Sequence, residues 1–510
     1  MRAKATIKNS LWGFIQQVVI CILSLVSRRV MLDSIGIDGV GLNGLLVNVL
    51  ALLSLAEMGV GSVIIYHMYA PLAQGDQKEI CRLMHFYKGI YRFIAAVITA
   101  IGLLMIPFLP YIVKGVHYSQ GYITAVFLLF LAQTVSSYFF SYKRSLLSAD
   151  QKQYVITIID LLFRVLTVIG GIVVLILTRE LIYYLVFLIV VGILNNLAVS
   201  FRVNQLYPYI RNTTDTLSPE RRKSIFRNVR DLFIGKLSWT ITSSTDNILI
   251  SALVGTIQVG MYSNYTIIIN TLTNVMNQLS AAMSGSIGNL LATESKEYID
   301  TVLHRLLFAM FFISAFCSAC LICLINPFVA LMFGENLVLG LDIVSVCVLN
   351  FFLMTMRIPV WNMLSASGLF QKDKYISIIG STINLVVSFV LGMRIGMLGI
   401  LIGTTSTYLI QYILKIILFY KSFLVKSCKR VFLWLGAYLV LAFVESAAAF
   451  WLCGFISTGQ VYVDFILKGV VAAILPLCLN VALFCRTEPF RYLLNLGKKM
   501  IGKYKGTPAS

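Results

Sequence analysis

Four cations, Arg28, Arg164, Lys236 and Arg357, interrupt stretches that are otherwise apolar enough to cross a membrane. A cation at the centre of a membrane helix costs about 2.5–3.5 kcal/mol on insertion scales. A chain that keeps several must turn them toward protein, water or an anion. Arginine suits phosphate, because its planar fork meets two phosphate oxygens at once. Together with Arg29, these side chains make five candidate ligands for a phosphate-bearing substrate. Asp160 lies one helical turn before Arg164 on the same face, so a local ion pair is the competing expectation there.

A second set is polar and uncharged. From Ser238 to Asn247 hydroxyls and amides follow almost without a break, and Asn270, Asn274 and Asn277 recur at the spacing of one helix face. Amides both donate and accept, which suits sugar hydroxyls. Ser243, Asn247, Asn270, Asn274 and Asn277 are therefore expected to line a wet cavity. The plainer alternative is hydrogen bonding between helices, about 0.6 kcal/mol per contact. Acids inside apolar stretches are fewer: Glu57, Asp160, Asp246 and Glu445. Asp246 and Glu57 are the candidates for coupling to an ion or proton.

The elements that position these residues follow from composition. The chain has 510 residues, 59% hydrophobic and 12% charged, against about 25% charged in soluble domains. Fourteen apolar spans are expected, near 10–32, 41–66, 89–113, 121–142, 154–178, 181–201, 232–254, 260–287, 304–333, 341–366, 375–393, 397–420, 431–454 and 463–485. The short alternating segments of a membrane β-barrel do not occur. The fold class is thus all-α and polytopic. Basic residues gather in every second loop, which makes the net charge of +20 a topology signal and places both termini in the cytoplasm. Nucleic acid is not needed to explain it. The first span runs into Arg28 and Arg29 rather than a cleavage site, and is kept as a helix.

The spans repeat. Gly36-Ile37-Asp38-Gly39-Val40-Gly41 returns as Gly255-Thr256-Ile257-Gln258-Val259-Gly260, and Leu72-Ala73, Pro107-Phe108 and Leu147-Ser148-Ala149 return as Leu291-Ala292, Pro327-Phe328 and Leu364-Ser365-Ala366. The offset is about 220 residues each time. A repeat of six helices has an even count, so the halves run parallel about an axis along the membrane normal. The expected domains are a bundle at 1–203, a hydrophilic linker at 204–231, a second bundle at 232–422, and two extra helices with a basic tail at 423–510. Breaks are expected at Pro107 and the matching Pro327, and at Pro359. Gly392, Gly396, Gly399 and Gly403 are expected to allow close helix packing.

Chemistry of the enzymatic kind has no foothold. Cys317, Cys320 and Cys323 spread around a helix with no histidine close by, and read as small buried hydrophobes. The four histidines, His67, His85, His117 and His304, fall near span ends. No metal cluster, cofactor motif or nucleophile–base pair is apparent. A membrane glycan polymerase, ligase or acyltransferase is disfavoured on these grounds, and neither a metal nor a cofactor is expected.

At this point the chain resembles a family. Six, six and two helices in parallel halves, with the stretch Ser54-Leu55-Ala56-Glu57-Met58-Gly59-Val60-Gly61 and the glycine turn after the arginines of the first span, are similar to the polysaccharide transporters of the multidrug/oligosaccharidyl-lipid/polysaccharide flippase superfamily. The resemblance implies two bundles around a cationic cavity. It implies alternating access in the bacterial plasma membrane for capsule, exopolysaccharide or O-antigen biosynthesis. The cargo would be an undecaprenyl-pyrophosphate-linked oligosaccharide moved to the outer leaflet, with Arg28, Arg29, Arg164, Lys236 and Arg357 facing the pyrophosphate. Membrane lipids, a polysaccharide polymerase and glycosyltransferases would be its partners. A peptidoglycan-precursor flippase and a multidrug and toxin extrusion antiporter are the alternatives; Glu445 and Lys468 depart from a purely apolar lipid groove in the last two spans.

Overall fold

The computed structural model describes residues 2–53, 60–150, 152–211 and 217–495, with side chains described over most of that range but not over 2–22, 230–243 and 278–286. In chain order the helices are α1 (Arg2–Leu53), α2 (Val60–Gln74), α3 (Gln77–Met105), the single turn α4 (Leu109–Ile112), α5 (Gln120–Ala149), α6 (Gln153–Thr178), α7 (Leu181–Leu206), α8 (Pro219–Leu253), α9 (Thr256–Thr293), α10 (Lys296–Phe333), α11 (Leu341–Met356), α12 (Ile358–Ala366), α13 (Phe370–Phe419), α14 (Lys429–Gly454) and α15 (Val461–Phe484). No strand occurs among the described residues. Ten stretches among them are long and apolar enough to span a bilayer. One, Lys372–Leu424, carries two of the expected spans. The protein is an all-helical, multi-pass integral membrane protein.

Local chemistry starts the helices. Asp76, Ser119, Ser218 and Ser295 each accept a hydrogen bond from a backbone N–H three residues on, capping α3, α5, α8 and α10. Ser218 with Pro219 in the first turn starts α8 early, so the second half of the expected linker is helix. Two merged helices bend where glycine takes a backbone that other residues resist: Gly36 in α1 (φ 67) and Gly396 in α13 (φ 61).

Prolines divide as the packing allows. α3 gives way to a 3-10 turn at Ile106–Phe108, around Pro107, and α11 ends at Met356 just before Pro359. Pro327 does not break its helix as expected. α10 runs through it to Phe333. A proline removes one ladder bond. Here the neighbouring Asn326 is fixed from both sides, accepting from Tyr265 Oη (2.6 Å) and donating to the Leu339 carbonyl (3.2 Å), which holds α10 in line.

The chain divides into two compact units, Ile22–Ser263 and Met1–Cys21 with Asn264–Ser510. In the first, α5 packs on α2, α3 and α7, and α6 on α7. Its interior includes Tyr87, Tyr91 and Phe127, all buried, with Tyr91 stacked on Tyr138. In the second, α10 is central and packs on α11, α14 and α15. Phe308, Phe311, Tyr438 and Phe484 interlock there at centroid distances from 4.4 to 6.4 Å. The two arms of α13 fold back at Gly396. A Cβ on Gly399 or Gly403 would overlap Leu391 or Ser388, so these glycines allow the close packing expected of them. Asn384 Nδ2 donates to Thr404 Oγ1 (3.1 Å) and Ser388 Oγ to the Ile400 carbonyl (3.0 Å) across the same hairpin.

The repeated glycine turns meet one another within the first unit. A Cβ on Gly41 would overlap the carbonyl of Thr256, and one on Gly260 would press on Ile37. Thr256 is the repeat partner of Ile37, and Gly260 of Gly41. The contact is therefore self-complementary, as a local two-fold axis requires.

Candidate functional site

Arg28 and Arg29 are neighbours with different surroundings. Arg28 is 7% exposed. Its Nη2 donates to the Gly260 carbonyl at 2.9 Å and to Ser263 Oγ. It therefore clamps the repeated turn at the start of α9, next to the Gly41–Thr256 contact. Arg29 is exposed and pairs with Asp33 one turn on, at 3.0 Å. Around them the turns are tied by Lys114 N–H donating to Thr256 Oγ1 (3.1 Å), Thr256 N–H to the Lys114 carbonyl (2.8 Å), and Ser251 Oγ to the Ile112 carbonyl (2.7 Å).

Arg357 sits in the other unit, at the break between α11 and α12, and is also 7% exposed. Its guanidinium lies 4.4 Å from the Tyr408 ring centroid and 5.3 Å from that of Trp361. A second cation shares that tryptophan. Lys415 on α13 is 2% exposed, and its Nζ is 3.3 Å from the Trp361 centroid. One carboxylate, Asp373, pairs with Lys415 at 2.6 Å. The cluster thus brings two cations together over indole and phenol faces, which stabilise them further. Sequence reasoning missed Lys415. The signal was present, since it is a charge inside an apolar run as Arg357 is.

Arg164 lies on an exposed, mostly apolar face of α6, beside Leu161, Leu162 and Val165. The structure does not bring it to Asp160. That carboxylate accepts two hydrogen bonds from Arg144 on α5, both at 2.9 Å, and one from Asn195 on α7 at 3.0 Å. Both Arg144 bonds come from one nitrogen, Nη1, and with the Asn195 bond they tie Asp160 to the neighbouring helices α5 and α7. Arg28 and Arg29 are close to each other; Arg164 is not joined to them by any contact among the described residues.

Asn270, Asn274 and Asn277 are all exposed, and Thr273 and Met276 between them are buried, so one face of α9 is lined by amides as the spacing predicts. Asn247 is half-buried, with its Oδ1 lacking a hydrogen-bond partner among the described residues. Asp246 is buried. Glu57 and the side chains of Lys236 and Ser243 lie outside the described residues.

No protein-family model matches the chain, and no curated protein does. Solved structures match it along most of its length. Lipid II flippase MurJ, in an inward closed conformation, is 13% identical with a TM-score of 0.63, covering 92% of this chain and all of that one (100%). An inward-facing multidrug resistance MATE family transporter of the MOP superfamily is 15% identical with a TM-score of 0.62, covering 79% and 96%. The Vibrio cholerae MATE transporter VcmN is 13% identical with a TM-score of 0.56, covering 83% and 99%. At such identities the likeness is one of fold: the chain has the fold that MATE transporters and MurJ share.

Proposed function

We propose that the protein is a flippase that carries an undecaprenyl-pyrophosphate-linked oligosaccharide from the cytoplasmic to the outer leaflet for surface polysaccharide synthesis. The observation that carries this reading is the cluster of Arg357, Lys415, Trp361 and Tyr408, which gathers two buried cations and two aromatic rings at a break in an apolar span. Buried cations in an apolar span mark a substrate pathway, and a guanidinium beside an ammonium suits a pyrophosphate. The fold likeness to a lipid II flippase over 92% of this chain supports the same reading. The amide face of α9 suits the sugars, and an aromatic lining suits their apolar faces. Arg28, Arg29, Arg164 and Lys236 are the further pyrophosphate ligands under this reading, and the wild-type protein would cycle by alternating access in the plasma membrane.

The test is the fate of lipid-linked glycans in cells lacking the protein. A complete repeat unit should build up on undecaprenyl pyrophosphate while surface polysaccharide disappears. Wild type should restore the surface polymer; Arg357→Ala and Arg164→Ala should insert normally and fail to. Normal transport by both alanine variants would sink the cationic site. A second reading is an antiporter of the MATE kind, favoured by the equal fold match and by buried Asp246. Normal glycans with new sensitivity to cationic drugs would support it instead.

A further inference from the structure

The two helices beyond the repeat, α14 and α15, hold a polar pair that the proposed cargo site does not use. Glu445 on α14 and Asn480 on α15 are each 1% exposed. Asn480 Nδ2 donates to Glu445 Oε2 at 3.0 Å. Both helices pack on α10. There Ala315 shares a cluster with Ala442, and Ala319 with Ala449. Two buried atoms of this pair have no hydrogen-bond partner among the described residues: Glu445 Oε1 and Asn480 Oδ1. No ion pair among the described residues reaches Glu445.

An ionised carboxylate with one amide donor is costly at this depth. Its second oxygen and the amide oxygen beside it are both acceptors, with nothing to accept from. One proton resolves both. With a proton on Oε1, the acid O–H donates to Asn480 Oδ1 while the amide N–H donates to Oε2. The charge is removed, and carboxyl and amide satisfy each other in a two-bond ring. A hard metal ion fits less well, since it asks for about six oxygens and the side chains of Glu445 and Asn480 together supply three.

The other titratable groups on these helices are Lys296, Glu297, Tyr298, Asp300, His304, Arg305, Cys317, Cys320 and Cys323 on α10, Lys429, Arg430, Tyr438 and Cys453 on α14, and Tyr462, Asp464, Lys468 and Cys478 on α15. Lys296 and Arg305 lie in the first three turns of α10 and Lys429 and Arg430 in the first turn of α14; Lys468 is the cation of α15. It stands twelve residues before Asn480, about 18 Å along the helix.

We propose that Glu445 and Asn480 form a proton-binding site, and that uptake and release of this proton from water is linked to the transport cycle. The linkage rests on the transporter reading above; the proton site does not.

Purified protein in lipid nanodiscs is examined by infrared difference spectroscopy during pH titration, in H2O and D2O. A protonated-carboxyl band should titrate, disappear in Glu445→Gln and shift in Asn480→Leu. Glutamine keeps the shape and the reciprocal bonds, so Glu445→Gln should unfold at the wild-type temperature. In energised membrane vesicles, lipid-linked oligosaccharide movement should fall when the pH gradient is collapsed. Glu445→Gln should be slow and indifferent to the gradient. Absence of a Glu445 band at every pH overturns the proton site, as does a band displaced by sodium at fixed pH. A band with a fully gradient-responsive Glu445→Gln overturns the linkage. Should the wild type move no oligosaccharide, the comparison is read with a cationic dye as cargo. That result removes the flippase reading and leaves the spectroscopic test standing; movement of neither cargo overturns the linkage.

Discussion

Arg28 and Arg29 show how little a residue type says before its neighbours are known. One is buried on a backbone carbonyl and a hydroxyl; the other pairs with Asp33 at the surface, with side chains 44% and 59% exposed. Exposed pairs contribute about 0–1 kcal/mol, and bonds from a charged group about 1.5–3 kcal/mol. Arg29→Ala should leave thermal unfolding in detergent nearly unchanged, while Arg28→Ala lowers it clearly; equal effects would contradict the clamp. Lys415 gives a sharper case. Removing one partner of a buried pair leaves an uncompensated charge, at about 3–5 kcal/mol. Asp373→Leu, which strands Lys415 against Trp361, should be strongly destabilising. The double variant Lys415→Met, Asp373→Leu should recover most of that loss. A double-mutant cycle with no coupling would show that the pair is incidental.

At the scale of elements, helix ends do most of the joining. Asp150 closes α5, and Tyr207 closes α7. Asp150 Oδ2 accepts from Tyr207 Oη at 2.5 Å and pairs with Lys152 at 2.7 Å. Burial pushes the Asp150 carboxyl up, but the hydrogen bonds from Lys152 and Tyr207 and the Lys152 charge outweigh it and hold the group below its ordinary range. A depressed folded value stabilises above the unfolded one and loses that contribution as pH falls through the folded one. Stability should therefore decline in acid, below the ordinary aspartate range, with a slope that Asp150→Asn flattens. An unchanged slope would deny the tie. The glycine turns make a second prediction. Gly41→Val forces a side chain into the Thr256 carbonyl, and overpacking costs about 1–3 kcal/mol or more. Gly36→Ala meets open space but a backbone (φ 67, ψ −179) that glycine alone adopts readily, so its penalty should come from conformation alone and be about 1–3 kcal/mol. Calorimetry that finds Gly41→Val as stable as wild type would overturn the packing argument.

For the whole molecule the charge pattern predicts both termini in the cytoplasm. Reporter fusions at residues 1 and 510 should both read cytoplasmic, and a fusion in the turn after Thr178 should read external; one terminus outside would break the even count of spans. Much of the fold was legible because a bilayer imposes a one-dimensional rule: each backbone polar group must be bonded inside its own helix, so apolar length alone marks the spans. The glycine repeat was legible too, since close backbone contact admits no other side chain. Sequence also marked Arg28 and Arg357, whose charge stands out against an apolar run. What the sequence left undecided is what each charge faces. Asp160 has Arg164 as a neighbour in sequence and Arg144 as a partner in space. Pro327 has the form of a break and lies inside an unbroken helix. Lys415 becomes part of a site only when α13 lays it over Trp361, and Glu445 finds Asn480 only when α14 and α15 pack side by side on α10. These outcomes turn on distances between helices, and electrostatic and hydrogen-bond energies depend on such distances far more steeply than apolar burial does. The sequence by itself determined a multi-pass helical protein with a repeated plan and cations in its spans; only the tertiary structure decided which of those cations are paired, and with what.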